Sequence, residues 1–432
     1  MEAENQALRQ QLGALQQRLD EAERAGARQA APFRRPEPKK IPPAKQKRPG
    51  RPKGHPGAQR VIPEQIDEQV EVPLQACPNC GTAITEVEPI VRYIEEIEPA
   101  RPKVTLVTTY QGECPGCGSV YSSHPLQTAP GPGGSKVQLG PRALAIATQL
   151  NKQHGLTMRK TCLVLQQLTG LRLTPGGLAL AVQRAASKLE SDYDALKTKL
   201  RASAAVFADE TSWWVGEPGW WLWTFTNDQA TLYAVENSRG SQVVLDTLGP
   251  DFPGMLVSDC LASYDPPAYR KHKCIAHHCQ AIKKARERPD TRDDSYLKQW
   301  THLFAVVRAI WKHGARLPCE PERLREWADR LLETAVVQPG DVAVRNRLAK
   351  QREHLLGCLD EPAAEPTNNR AERALRPAVI ARKLSCGNKT EPGKRAWEIL
   401  ASLTTTWSQH AKDVITELST RLRAPMAGAV PG

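Results

Sequence analysis

Three acids stand where metal-assisted chemistry would want carboxylates. Asp209 follows the apolar run AAVFA, Asp259 follows GMLVS, and Glu372 lies in TNNRAERALRP among Asn368, Asn369, Arg370, Arg373 and Arg376. An acid that ends a buried strand is exposed at a sheet edge while its backbone stays rigid, which is where α/β sheets place ligands. Either aspartate alone reads equally well as a turn or capping residue. Together, carboxylates from three separate elements can hold two divalent cations that clamp an in-line phosphoryl displacement, one activating the attacking oxygen and one stabilising the leaving oxygen. Hard oxygen donors select Mg²⁺ or Mn²⁺. On a helix, Asn369, Glu372, Arg373 and Arg376 would share a face. That patch is either a metal-binding carboxylate among DNA-contacting groups or a solvated face with local ion pairs.

A second constellation is made of thiols. CPNCG at Cys77–Gly81 and CPGCG at Cys114–Gly118 are separated by 33 residues between Cys80 and Cys114. Two such pairs, each followed by a glycine that lets the chain curl, allow Cys77, Cys80, Cys114 and Cys117 to converge on one structural Zn²⁺. Between them VRYIEEIEP and KVTLVTTYQG alternate like the strands of a zinc ribbon. Eleven cysteines with no secretory signal point to a reducing cytosol, where paired cysteines more often mean metal than disulfide.

The elements that must position these residues follow from periodicity. Residues 130–200 carry helix-period apolar residues between turn signals, as a helix-turn-helix reader of DNA or as a plain helical linker. From Ala204, AAVFADETSWWV, GWWLWTFTND and ATLYAVENS read as three successive strands, and SQVVLDTLG as a short helix. GMLVSDCLASYD and HKCIAHHCQAIKKARE supply two more strand candidates, the second running into a basic helix. The pattern predicts a mixed α/β sheet. A charged helical block fills 294–365, and RAWEILASLTTTWSQHAKDVITELSTRL is again amphipathic helix. The tryptophans at 213, 214, 220, 221 and 223 read as core and sheet-face residues more readily than as base-stacking platforms.

The net charge of +12 is concentrated: eleven Lys or Arg against one acid lie between Arg28 and Arg60, together with eight prolines. This arm, with Arg48, Arg51 and Lys53, cannot pack a core and suits a phosphate backbone; a solubilising linker is the plainer alternative. Ahead of it Leu8, Leu12, Leu15 and Leu19, with Asn5 and Ala22 on the same seam, read as a short coiled coil or as an amphipathic helix packed on the body. No run approaches a membrane span.

In this order (coiled coil, basic arm, zinc ribbon, helical region, FADET, SD, then NNRAERALRP with Arg382–Lys383) the chain resembles the transposases of insertion-sequence family 66, a branch of the DDE transposases. The match covers nearly the whole chain and is most specific in FADET, in KCIAHH through His278, and in NNRAERALRP. It implies a multidomain protein: coiled coil 1–27, arm 28–66, zinc ribbon 67–128, helical and possibly DNA-binding region 136–200, and ribonuclease-H-like catalytic domain 201–425 with a helical insertion at about 294–365. It implies Asp209, Asp259 and Glu372 as the triad holding Mg²⁺ or Mn²⁺. Arg370, Arg373 and Arg376 would hold phosphates, Asn368 or Asn369 would cap the helix or touch DNA, and His277, with Lys283 and Lys284 beyond it, would face phosphate near the site. Relatives carry glycine after the second acid where this chain reads DCLASYD, so Asp265 stays a second candidate for that role. The implied activity is cleavage of element ends and strand transfer to target DNA, by a homo-oligomer in the cytoplasm at the nucleoid, with small companion proteins of the same element as partners. A non-catalytic DNA-binding regulator or architectural protein is the alternative. A ribonuclease or junction nuclease on the same fold would leave the zinc ribbon and arm without a use.

Overall fold

The apolar strand runs that follow Ala204 find one another in a single five-stranded sheet. The structure is a computed structural model that describes residues 54–55, 60–85, 87–129, 135–313, 321–423 and 430–431. The expected coiled coil and most of the basic arm, with Arg48, Arg51 and Lys53, lie outside the described residues. The chain divides into two units, 1–99 and 100–432.

In the first unit the chain curls at Cys77–Cys80. Gly81 takes φ +76°, its amide bonds the Cys77 carbonyl at 2.8 Å, and the Cys77 amide bonds the Thr82 carbonyl at 2.8 Å. Of the two strands expected between the cysteine pairs, the first does not form and only the end of the second, from Gln111, is a strand. Residues 91–99 run without a ladder, and Val91, Ile94 and Ile97 are exposed. Alternation makes a strand only where a partner supplies hydrogen bonds and a face to bury. Among the described residues nothing pairs with this segment.

The second unit opens with exposed Val104 and Leu106. Its first strand, β1 (Gln111–Cys114), forms a hairpin with β2 (Gly118–Ser123) around the second cysteine pair, and β8 (Val430–Pro431) adds parallel to β2. Four helices follow: α1 (Pro141–Lys152), α2 (Met158–Thr169), α3 (Pro175–Lys188) and α4 (Glu190–Arg201). Then β3 (Ala205–Val215), β4 (Glu217–Thr226) and β5 (Thr231–Glu236) form an antiparallel meander, and β6 (Met255–Ser258) and β7 (Arg270–Lys273) continue the sheet in parallel. The order is β5-β4-β3-β6-β7. Short α5 (Gln242–Leu248) crosses from β5 to β6.

Strand alternation divides the sheet's two faces. Val206, Ala208, Phe225, Leu232 and Leu256 pack with α1, α3 and α4. Ala205, Phe207, Met255 and Val257 pack with α6 (Ile275–Arg286), α7 (Ser295–His313), α8 (Pro321–Glu333) and α9 (Pro339–Lys350). Trp213, Val215, Tyr233 and Val235 lie under α10 (Asn369–Ser385) and α11 (Glu391–Gln409). A last helix, α12 (Val414–Arg423), packs beside α1. Edge strand β5 is closed by α11, whose side chains meet its outward amides one turn apart: Thr406 accepts from Thr231 at 3.0 Å, Ser402 from Tyr233 at 2.9 Å and Glu398 from Val235 at 2.6 Å. An open row of donors is thereby protected from pairing with another chain. Among the described residues no helix is long and apolar enough to cross a membrane.

Candidate active site

The two aspartates are brought together by register. The β3–β6 ladder runs in step from Ala205↔Met255 to Phe207↔Val257. Carried two residues further, that register would align Asp209 with Asp259 on neighbouring strand lines, which are about 4.8 Å apart in a sheet. Asp209 does not end its strand, as the sequence pattern suggested. β3 continues to Val215 because residues 209–213 pair across to Thr224–Trp220 of β4. It is β6 that stops, at Ser258, leaving Asp209 with a strand on one side and an open edge on the other. Both acids are half-buried. The Asp209 carboxylate accepts the Glu210 amide at 3.0 Å and that of Asp259 accepts the Leu261 amide at 2.8 Å.

Glu372 arrives on the first turn of α10, where a carboxylate is favoured by the helix dipole. That helix is tied along β3. Asn368, just before it, donates Nδ2 to the Ala208 carbonyl at 2.8 Å. Arg382 donates to Thr211 Oγ1 at 3.0 Å and Ser212 Oγ at 2.9 Å. Past its end Asn388 accepts from Trp213 Nε1 at 2.9 Å and bonds the Trp214 carbonyl through its amide at 2.9 Å. Gly387 makes that last approach possible: its φ is +108° and a Cβ there would fall 2.5 Å from the Trp214 carbonyl oxygen.

Negative charge accumulates at this edge. Burial, then the neighbouring Glu210 and Asp259 with Glu372 beyond them, push the Asp209 carboxyl up to about 8, against the opposing Glu210 amide. Glu210 points to the opposite face, where Arg239 holds it at 2.7 Å and the Tyr264 hydroxyl at 2.6 Å; Arg239 in turn stacks on Trp221 at 4.3 Å. Asp265 is not a free second acid: it pairs at 3.0 Å with fully buried Lys273, a cation that needs a partner once removed from water. His277 sits at the start of α6. Its contact with the Cys274 thiol, with Asp259 and Glu372 adding, holds its pKa above the ordinary value against the effect of burial. Among the described residues no three His, Cys, Asp or Glu side chains stand close enough to hold a metal ion. The acids meet at electrostatic range.

The basic residues divide. Asn369, Arg373 and Arg376 lie exposed on α10 beside Glu372. Arg370 is not a free phosphate arm, because Glu365 takes its guanidinium at 2.7 Å and 2.8 Å and Phe207 lies beneath it at 5.3 Å. Lys283 and Lys284 are exposed in the last turn of α6, Lys283 facing Glu287 at 3.9 Å, and no described contact links them to the acids. The second helix of the α2–α3 pair opens Pro175-Gly176-Gly177 and buries Leu178, Ala181, Val182 and Ala185 in the core. Trp213 and Trp223 are core residues, and Trp214 is 40% exposed.

Each cysteine pair has the turn its spacing suggests. Cys80 is drawn below the usual thiol pKa by the Thr82 hydroxyl and then the Thr82 amide. Cys114 is drawn down by the amides of Gly116 and Cys117, and Gly118 takes φ +77°. Sequence reasoning missed the Glu210–Arg239–Tyr264 group and Lys273, whose partners lie between 8 and 54 residues away. It also missed Cys274, whose Sγ accepts the Asn368 amide at 3.1 Å. The one available signal was an acid directly after Asp209.

A comparison with curated proteins finds no match. The sequence model described as the transposase IS66 family matches residues 136–396, from just before α1 into the first turns of α11 and across all three acids; the chain belongs to that family.

Proposed function

We propose that this transposase is a metal-dependent DDE enzyme with a ribonuclease-H-like catalytic domain, cutting the ends of an insertion sequence and joining them to target DNA. The observation that supports the reading is the β3–β6 register, which carried on by two residues aligns Asp209 with Asp259, together with a helix bearing Glu372 that is tied to the same strand. The strand order, three antiparallel and two parallel strands with the first at the centre, supports the fold assignment. The donor set also fits a divalent cation. It is all hard oxygen, and an Asp209 carboxyl pushed up to about 8 by burial and then by its acidic neighbours is one whose charged form a bound cation would favour.

Asp209, Asp259 and Glu372 would hold two Mg²⁺ or Mn²⁺ ions, which when bound lower the pKa of the attacking oxygen and take up charge on the leaving one. Exposed Arg373 and Arg376 bind DNA phosphates beside the acid. His277, favoured in its charged form, offers a further donor to a phosphate oxygen. Cys77, Cys80, Cys114 and Cys117 take one structural Zn²⁺; their spacing and the two matching turns support this. The basic arm adds nonspecific affinity, and further copies of the chain and small companion proteins complete the assembly, in the cytoplasm at the nucleoid.

Glu372→Gln tests the site. It keeps size and removes the charge a divalent cation needs. Binding to labelled element ends should persist while Mg²⁺-dependent cleavage falls by orders of magnitude. Near-normal cleavage would make Glu372 a solvated partner of the arginines, since exposed pairs are worth under about 1 kcal/mol. Absence of cleavage by the unmodified protein, with companions supplied, would leave a DNA-binding regulator.

A further inference from the structure

Four hydrogen bonds meet on two buried residues, and together they reach all three acids. Cys274, fully buried, donates its amide to the carbonyl of Ser258 at 2.9 Å, the residue before Asp259. Its Sγ accepts the amide of Asn368 at 3.1 Å. Asn368, also fully buried, donates Nδ2 to the carbonyl of Ala208 at 2.8 Å, the residue before Asp209. Its own carbonyl accepts the Glu372 amide at 3.2 Å. The segment that delivers Asn368 is docked on the same elements, for the Pro366 carbonyl takes the Ile275 amide at 2.9 Å and lies 3.1 Å from His272 Nε2.

Asn368 precedes a helix, and asparagine there ordinarily caps it through its side chain. This one makes no capping bond. It reaches across to β3 instead, and its Oδ1 is left buried with no hydrogen-bond partner among the described residues, a destabilising arrangement. A side chain that forgoes its usual role in that way is explained by what its other end holds. We infer that Cys274 and Asn368 are positioning residues, a backbone tether that sets the spacing of Asp209, Asp259 and Glu372. The inference rests on the reading of those acids as the metal site. It adds that their spacing is governed by one thiol and one amide that themselves touch no DNA or ion.

The test uses the full chain and five proteins: unmodified, Asn368→Ala, Cys274→Ala, Cys274→Ser and Asp209→Asn. Mn²⁺ is titrated without DNA while the melting temperature is followed; affinity for labelled element ends and single-turnover cleavage are measured in parallel. Asn368→Ala should raise the Mn²⁺ midpoint and slow cleavage by about 10–100-fold while end affinity stays within about twofold, as for residues that orient metal ligands from behind. Cys274→Ala should move the same way, and Cys274→Ser, which keeps an acceptor for the Asn368 amide, should recover most of the loss. Alanine variants that fold, bind Mn²⁺ and cleave like the unmodified protein would overturn the inference. If Asn368→Ala does not fold, equal Mn²⁺ midpoints for Cys274→Ala and Cys274→Ser would overturn it as well. Asp209→Asn separates the two levels: if it leaves the Mn²⁺ response intact, the acids are not the site and the tether falls with them.

Discussion

Removing the charge of Asp209 should stabilise the protein when metal is withheld. In the folded chain its carboxyl titrates at about 8 against an ordinary 3.8. Between those values the native state holds a proton that the unfolded chain has released, so stability falls as pH rises from about 4 to about 8 and then levels. At about 1.4 kcal/mol per pH unit, the gap is worth at most about 6 kcal/mol. Asp209 is only half-buried, and solvent screening reduces that bound to an expected effect of about 2 kcal/mol. Asp209→Asn keeps an oxygen for the Glu210 amide, now at 3.0 Å, and abolishes the titration. Melting temperatures in chelator should therefore coincide near pH 4 and diverge with pH, the variant standing higher by about 4 °C at pH 8. Adding Mg²⁺ or Mn²⁺ should raise the unmodified protein and close the difference. A variant that is less stable at pH 8, or a difference that ignores pH, would refute the argument that burial and acidic neighbours together raise this carboxyl.

Purified protein should carry one zinc per chain, and Cys114→Ser should lose it; metal analysis showing unchanged zinc would remove the four-thiol assignment. Deleting residues 28–60 should flatten the dependence of log K on log salt, because fewer phosphates are neutralised, and an unaltered slope would take the arm off the DNA. Glu398, buried under β5 and pushed up to about 6 by that burial, gives a second pH test remote from the acids. Glu398→Gln keeps an acceptor for the Val235 amide, so its stability relative to the unmodified protein should improve between pH 4.5 and about 6, by about 1 kcal/mol. No pH dependence in denaturation would refute it.

What was legible in the sequence depended on how local its cause was. The meander was readable because alternation and β-branched or aromatic content act within a few residues. The two aspartates were readable because each follows an apolar run, and Glu372 because it stands alone among asparagines and arginines. The run AAVFADETSWWV already carried β3 past Asp209, and pairing with Trp220–Thr224 is what realises it. Asp265 stayed a second candidate because nothing local links it to Lys273, which reads in sequence as part of the strand-like KCI. Its burial follows from β7 lying against β6. Arg370 was grouped with Arg373 and Arg376 by the family resemblance, yet only the first faces Glu365. Asn368 offered two plausible local roles, cap or DNA contact. The role it takes, a bond to a strand 160 residues earlier, has no local trace.

The arrangement separates two kinds of electrostatics. The acids are held by backbone: Asp209 lies within a strand paired to β4, and the residues before both aspartates are tied through Asn368 and Cys274 to the helix that bears Glu372. Their mutual repulsion is therefore built in before any cation or DNA arrives, and it persists because the fold, not the solvent, sets the spacing. Arg373 and Arg376 lie exposed on the neighbouring face, where salt screens a charge over about 10 Å and a lone pair adds little to stability. Substituting them should move DNA affinity and its salt dependence while leaving the melting temperature alone. Substitutions behind the acids should do the reverse, shifting metal response and cleavage with little change in affinity. A fixed acidic cluster beside exposed arginines suits a site in which substrate phosphate and cations must be gathered together: the arginines supply attraction from solution, and the tethered carboxylates supply the geometry.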